Sequence, residues 1–356
     1  MTTHLANYWS ENGHDVSIVC NVSDGQNAYQ LSSKVQNIVM NAGGESPNVL
    51  YAVYNNLKSI RKLRKEIKRL DPDYLIAMAP TVNITAALAC MRLNVTTIGA
   101  EQNYPPAEGI GHRWESLRRH FYRLLDAIVA QTETTREWLY KNTNAGYVSV
   151  IHGPVVYPLD RSNPILEPDK SDKRKVILSV GRLSAQKQFD HLIEAFSMTR
   201  SEHPDWRLVI LGEGELRGSL ESQVERLDLK DTITLPGVAG NVGDWYEYSD
   251  IFALSSGYEG FPNVLIEALT HGLPAVCYDC DTGPRDMINP PYNGLLVPPN
   301  DVEALSTNLK RFMVNEDERQ TAGHNAKGIS ERLKIDIICN EWLALMEIAD
   351  SNRKLA

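Results

Sequence analysis

Two doubly wound α/β domains are predicted for this 356-residue chain, and three observations carry the prediction. Short apolar runs alternate with helix-length amphipathic segments, the pattern of parallel sheets covered on both faces. That alternation breaks once, over "GPVVYPLDRSNPILEPDKSDKR" (153–174), a stretch rich in Pro, Asp and Lys that reads as a linker. The length suits two domains.

The first domain is placed at 1–155, with strands at "VSIVC", "YLIAMA", "VTTIGA" and "AIVAQT". It opens in a helical pattern, "THLANYWSENG", and reaches a strand only at Val16. A doubly wound domain ordinarily opens with a strand and a turn. The usual first strand is therefore expected to be missing, with the native start upstream of Met1 and activity impaired in the chain as given. A linker is placed at 156–174. The second domain, 175–333, restarts with "KVILSVG", a helix from about Phe189, "WRLVILG", "TITLPG", "IFALSS" and "PAVCYD". The final segment, 334–356, contains "IDIICNEWLALMEIA", an apolar helix able to pack back on either domain.

Composition narrows the function classes. With 42% hydrophobic and 23% charged residues the chain is ordinarily globular. The N-terminus does not resemble a secretory signal, and no apolar run approaches the ~20 residues that span a bilayer. A cytoplasmic protein, soluble or peripheral to the inner face of the membrane, is expected. Five scattered cysteines suit reduced thiols. Cys277 and Cys280 form a C-x-x-C without a second pair, so strand-end packing is favoured over zinc. A net charge of −9 argues against nucleic-acid binding. The first 155 residues nevertheless hold 15 Lys and Arg against 13 Asp and Glu. "NLKSIRKLRKEIKRL" (Asn56–Leu70) carries seven basic residues, with Leu57, Ile60, Leu63, Ile67 and Leu70 as its apolar stripe. "RWESLRRHFYR" (Arg113–Arg123) is a second basic stretch. Solvated helix faces and contact with an anionic membrane surface are both open readings.

The chemistry concentrates in "SSGYEGFPNVLIEALTHGLPAV" (Ser255–Val276). Pro262 suits the first turn of a helix, and Gly272 with Pro274 ends it. Glu259 then lies in the loop before the helix, and Glu267 lies inside it on the face of Asn263. The backbone N–H groups of Gly260, Phe261, Asn263 and Val264 point out of the helix N-terminus, where an oxygen-rich ligand can accept from them. A polyhydroxylated ligand fits these parts; a plain loop residue and an exposed helix position fit them as well. In "VILSVGRLSAQKQF" a strand ends at Gly181, with Arg182 and Lys187 on the following loop, a placement suited to a diphosphate. No P-loop pattern occurs. Two D-x-D strings, Asp71-Pro-Asp73 and Asp279-Cys-Asp281, lie in unsuitable contexts, so no metal is expected.

Several stretches resemble glycosyltransferase family 4, a retaining group with the GT-B fold of two Rossmann-like domains facing across a cleft. They are "GRLSAQKQFDHLIEAF", "LVILGEGELRGSLE", "ITLPGV", "SSGYEGFPNVLIEALTHGLPAVCYD", "TGPRDMI" and "NGLLVPPND". "SENGHDVSIVC" resembles the family's second strand, and "GAEQNYPPAEGIGHRWESLRRHFYRLLDAIVAQTE" its acceptor-side segment. The resemblance is strongest to bacterial exopolysaccharide, O-antigen (lipopolysaccharide) and lipid-linked glycan transferases.

It implies transfer of a hexosyl unit, with retention, from a nucleotide-sugar substrate (UDP-hexose or UDP-N-acetylhexosamine) to a lipid-linked or polysaccharide glycan, without cofactor or metal. Arg182 and Lys187 would neutralise the diphosphate, and Glu267 would bind the ribose. Glu259 and the segment Gly260, Phe261, Pro262, Asn263, Val264 would hold the donor sugar. Glu101, Asn103 and His112 are the acceptor-side candidates. Glu101-Gln102-Asn103 stands where many members carry a histidine. A nucleotide-sugar epimerase of the same fold and a truncated non-catalytic nucleotide-sugar-binding module are the rival readings.

Overall fold

The computed structural model of the protein describes residues 1–20, 31–42, 48–107 and 109–355. The chain divides into two compact units, Met1–Pro154 with Ile335–Ala356, and Val155–Lys334.

Unit 1 runs α1 (Thr2–Glu11), β1 (Ser17–Cys20), β2 (Gln36–Val39), α2 (Val49–Leu70), β3 (Tyr74–Met78), α3 (Pro80–Cys90), β4 (Thr96–Glu101), α4 (His112–Phe121), β5 (Ala127–Ala130), α5 (Glu133–Asn142) and β6 (Val148–Val150). All its strand pairs are parallel, in a sheet β3-β4-β5-β6 and a separate pair β1-β2. Among the described residues no ladder joins β1 to β3. Their side chains nonetheless share one core, since Val19 of β1 packs against the cluster holding Ala77 of β3 and Leu63 and Ile67 of α2. The long helix α2 forms because both ends are capped. The Asn48 side chain accepts from Tyr51 N at 3.1 Å, Asp71 turns left-handed at φ 46°, and Lys68 and Arg69 offset the C-terminal dipole.

Unit 2 runs β7 (Lys175–Val180), α6 (Phe189–Ser197), β8 (Trp206–Leu211), α7 (Arg217–Arg226), β9 (Ile233–Gly237), α8 (Val242–Tyr248), β10 (Ile251–Leu254) and α9 (Asn263–Thr270). It continues through β11 (Ala275–Tyr278), α10 (Pro284–Met287), β12 (Gly294–Val297), α11 (Val302–Val314), α12 (Glu316–Ala326) and α13 (Ile329–Arg332). Its six strands form one parallel sheet, ordered β12-β11-β10-β7-β8-β9. The strand order reverses between β7 and β10, which in a doubly wound sheet is the crevice where ligands bind. Unit 1 has no strand in the position of β7 among its described residues.

The same clamp starts two neighbouring strands in each unit. Asp126 N donates to Thr97 O at 2.9 Å and its carboxylate accepts from Thr97 N at 2.7 Å. Asp250 N donates to Val176 O at 2.9 Å and its carboxylate accepts from Val176 N at 2.8 Å. Burial pushes both carboxyls up, opposed by that backbone N–H.

The structure differs from the sequence reading at two places and resolves a third that the sequence left open. Residues 156–174 are not a free linker but a strap bound along unit 2. Leu166 N donates to Asn241 Oδ1 at 2.9 Å, Trp245 Nε1 donates to Leu166 O at 2.8 Å, and Tyr248 OH donates to Asp169 O at 2.6 Å. The final helix, α14 (Ile335–Leu355), packs back as expected, and of the two domains left open it joins unit 1, where Trp342 meets Trp9 edge-on with centroids 6.4 Å apart. Arg118, inside the second basic stretch, is buried rather than solvated. Among the described residues no helix is long and apolar enough to cross a membrane.

Candidate functional site

Two loops at the reversal point of unit 2 are bonded to each other before any ligand is considered. One follows β7 and holds Gly181, Arg182 and Lys187; the other follows β10 and holds Ser255 to Pro262. Gly257 N donates to Gln186 O at 2.9 Å, and Gln186 Nε2 donates to Tyr258 O at 2.9 Å. Ser255 Oγ donates to Lys187 O at 2.8 Å. The Lys187 ammonium then reaches across to the Glu259 carboxylate at 2.6 Å, with both side chains largely buried. The diphosphate candidate and the sugar candidate are thus ion-paired with each other. Arg182 is exposed on the same loop.

The helix α9 begins at Asn263, with Pro262 as its N-cap, one position before the first turn it was expected to occupy. Phe261 and Pro262 are buried and anchor the turn, while Asn263 is exposed on the first turn. The loop after β11 braces this turn from behind. Thr282 Oγ1 donates to Glu259 O, and Gly283 sits at φ 93° where a Cβ would lie 2.6 Å from Pro262 Cδ. Only glycine fits that approach without displacing Pro262.

Glu267 lies one turn further along α9, half-buried, and its carboxylate accepts from Tyr246 OH at 3.0 Å. Burial raises its carboxyl above the usual carboxylate range, and the Tyr246 hydroxyl opposes the rise. His271 donates through Nδ1 to Glu267 O at 2.7 Å and stacks beside Tyr246 with centroids 5.2 Å apart.

Sequence reasoning missed Tyr246, which arrives from α8 with no local signal. It also missed what Gly212 and Gly214 do. A Cβ on Gly212 would lie 1.8 Å from Gly181 O, and one on Gly214 would lie 2.4 Å from Leu183 O. These glycines let the end of β8 press against the Gly181 loop, and the G-x-G at a strand end was the available signal.

Of the acceptor-side candidates, Glu101 ends β4 and turns inward. Its carboxylate accepts from Tyr122 OH and lies 3.6 Å from Arg118 Nε, with all three side chains buried. Asn83 Nδ2 donates to the same Tyr122 oxygen at 3.1 Å. Burial beside Glu101 holds the Tyr122 hydroxyl well above its usual range. Glu101 is thus held in the interior of unit 1, not at its surface. Asn103 and His112 are exposed, so the three candidates differ in burial. The polar atoms at the ends of β4, β5 and β6 are instead Gln102, Gln131 and His152. Gln131 Nε2 donates to Gln102 Oε1 at 3.4 Å, and His152 Nδ1 lies 2.8 Å from Gln131 O.

The remaining motifs have structural partners. Asp71 ends α2, and Asp279 pairs with Arg285 at 3.0 Å. Cys277 and Cys280 are buried thiols, the second pushed up to about 12 by burial. Among the described residues no three His, Cys, Asp or Glu side chains gather as a metal site.

Two family profiles match the chain in sequence. "Glycosyltransferase Family 4" matches residues 1–156, and "Glycosyl transferases group 1" matches residues 163–328. The chain belongs to glycosyltransferase family 4. An exopolysaccharide phosphotransferase of Streptomyces coelicolor is 32% identical to this glycosyltransferase over 85% of the chain, which spans 31% of that relative's length. The Campylobacter jejuni enzyme named "GalNAc-alpha-(1->4)-GalNAc-alpha-(1->3)-diNAcBac-PP-undecaprenol alpha-1,4-N-acetyl-D-galactosaminyltransferase" is 27% identical, with 94% of this chain and 90% of the relative covered. Among solved structures, Anabaena HepE in complex with UDP and glucose superposes with a TM-score of 0.76 at 15% identity, over 97% of this chain and 94% of that one. The transferase thus has the GT-B fold, built from two Rossmann-like units.

Proposed function

We propose that this glycosyltransferase moves a hexosyl unit from a UDP-sugar to a lipid-linked or polysaccharide glycan, with retention of anomeric configuration and without a metal. The observation that carries the donor half is the Lys187–Glu259 pair at the reversal point of the six-stranded sheet, one turn of α9 from Glu267. A sugar-binding carboxylate paired with a phosphate-binding cation, and a ribose-binding carboxylate inside α9, suit a nucleotide-sugar, whose diphosphate joins the sugar to the ribose.

The steps follow from charge. As the glycosidic bond to the diphosphate lengthens, negative charge grows on the departing phosphate oxygens. Arg182 and Lys187 stabilise it, which is the main electrostatic task of such a transfer. The ionised Glu267 accepts from the ribose hydroxyls while Tyr246 holds its second oxygen in place. Glu259 and the N–H groups of Gly260 to Val264 fix the sugar. Because Lys187 begins on Glu259, phosphate binding draws the ammonium away and frees the carboxylate for sugar hydroxyls. The lipid-linked acceptor is carried by the Campylobacter relative's name, and UDP by the HepE complex.

Calorimetric titration with UDP, GDP and ADP tests the reading, with Lys187→Ala and Glu267→Ala as controls. Selective binding of UDP that both substitutions weaken supports it. A folded chain that binds none of the three nucleotides overturns it.

A further inference from the structure

We infer that His271 is a positioning residue of the donor site and that, with Tyr157 of the strap, it makes the site select a nucleoside carrying both ribose hydroxyls, resting on the ribose role proposed above for Glu267. A glutamate on a helix can turn its carboxyl plane widely, because the terminal torsion has no sharp wells. To accept from two neighbouring hydroxyls it must keep one plane. Among the described residues, the one hydrogen bond to the Glu267 carboxylate comes from Tyr246 OH, on Oε2 at 3.0 Å. That leaves Oε1 for a ligand, and the stance of the Tyr246 ring sets the plane. The same hydroxyl lies 3.3 Å from Val264 O. It has one proton and two acceptors, so a small tilt of the ring decides which of them is served.

Two aromatic neighbours hold that ring. Phe252 of β10 stands 6.0 Å away between centroids at 63°, and His271 stands 5.2 Å away at 37°. His271 is held in turn, because its Nδ1 donates to Glu267 O at 2.7 Å, one turn back along α9. Its Nε2 edge meets the strap and α8 together. A Cβ at Gly243 would lie 3.6 Å from His271 Nε2 and 3.5 Å from Leu159 Cβ. Tyr157, two residues before Leu159, meets the imidazole edge-on, with centroids 5.0 Å apart and planes at 73°. Tyr157 is 57% exposed, so it adds little to the core of unit 2, and the imidazole accounts for its place. A series therefore runs from the strap to the ribose carboxylate: Tyr157, His271, Tyr246, Glu267. Each aromatic contact in it is strong enough to bias a ring position severalfold. A carboxylate fixed in advance loses less freedom when the ribose arrives.

The test is calorimetric titration of the full chain with UDP and with 2′,3′-dideoxy-UDP, read as the ratio of the two affinities. Wild type is expected to prefer UDP by about tenfold or more, the size of a hydrogen bond to a carboxylate. His271→Ala is expected to cut that preference about fivefold, with dideoxy-UDP affinity held within about twofold of wild type. Tyr157→Ala cuts it about twofold to threefold, and Tyr157→Phe, which keeps the ring, restores it. A merely structural role would weaken both ligands alike, so an equal fall in both overturns the positioning. So does a His271→Ala chain that keeps the wild-type preference while binding UDP. Should His271→Ala fail to fold, Tyr157→Ala, at an exposed residue, decides by the same ratio. Wild type that binds UDP and dideoxy-UDP equally removes the ribose role of Glu267 and the positioning with it, while the diphosphate part of the donor reading stands. Wild type that binds neither defeats both.

Discussion

Unit 1 and unit 2 start their central strands with the same aspartate clamp, Asp126 on Thr97 and Asp250 on Val176, yet among the described residues only unit 2 builds an unbroken sheet on it. In unit 2, the strands meeting at the reversal point, β7 and β10, are paired directly, and their following loops are cross-bonded into a site. In unit 1 the sheet falls into a pair and a quartet, and β1 and β3 stay only half-buried where β4 and β5 are fully buried. The contrast shows what a sheet edge contributes. Continuous pairing fixes where two loops stand, and fixed loops hold a donor site before ligand arrives. Even inside the quartet, where β4 is paired on both sides, the carboxylate at its end turns inward, as Glu101 does toward Tyr122 and Arg118.

The strongest way to break this comparison is to remove the buried charge of unit 1. Arg118→Ala leaves Glu101 without its buried cation, and losses of about 3–5 kcal/mol are typical of such a deletion. Calorimetry is expected to show unit 1 unfolding at lower temperature while UDP binding, proposed above for unit 2, survives in the folded fraction. Loss of UDP binding in step with unit 1 would show that the two units do not divide the labour this way.

In unit 2 the expected effects are on chemistry rather than stability. Lys187→Ala is expected to lower turnover on the order of 10²–10³-fold. Glu259→Gln is the sharper variant, because it removes the internal competitor for Lys187. It is expected to tighten UDP by about fivefold, the size of a ~1 kcal/mol ion pair, while slowing sugar transfer. Titration of wild type and variant with UDP reads the first effect, and weaker binding by the glutamine variant would refute the competition.

The two clamps can be compared directly. Asp126→Ala and Asp250→Ala each strip a buried N–H of its acceptor, at about 1–3 kcal/mol, whereas the asparagine variants keep an acceptor oxygen and lose less. Amide exchange at Thr97 and Val176 reports each clamp separately, and equal acceleration by the asparagine and alanine variants would rule the clamps out.

The smallest effect expected is on pH. Glu267 must be ionised to accept ribose hydroxyls, and burial has raised its carboxyl. UDP affinity is therefore expected to fall on acidification from a higher pH than for an ordinary carboxylate, and Tyr246→Phe moves that fall higher still. Stability responds with the opposite sign. The folded state binds this proton more tightly than the unfolded chain, so the contribution is complete below the unfolded-state value and is lost as pH rises through the folded one. A UDP affinity that stays flat down to the ordinary carboxylate range would exclude the raised carboxyl.

The geometry of the proposed donor site could be anticipated because its parts are local: a proline just before α9, two glutamates at fixed offsets from it, and cations on a strand-to-helix loop. What escaped the sequence depended on partners far along the chain. Tyr246 meets Glu267 from another helix, and Arg118 looked like one more surface cation until Glu101 and Trp138 enclosed it. Leu57 was placed on the apolar stripe of α2 by periodicity, but it lies at the stripe's margin and is exposed. The Pro-rich stretch 156–174 has a linker's composition, and hydrogen bonds from Asn241, Trp245 and Tyr248 make it part of unit 2.

One small feature governs the order of assembly. Val155 and Lys334 form a parallel bridge, and Val155 N donates to Leu333 O at 2.7 Å, so unit 2 enters and leaves the chain at one stapled point. Unit 2 is therefore a closed insert, with every residue it needs on one side of Ile335. Unit 1 needs α14 as well, whose Asp350 accepts from Thr96 at 3.1 Å. On the ribosome, the half synthesised second can finish folding first, and the half synthesised first waits for the last helix to emerge.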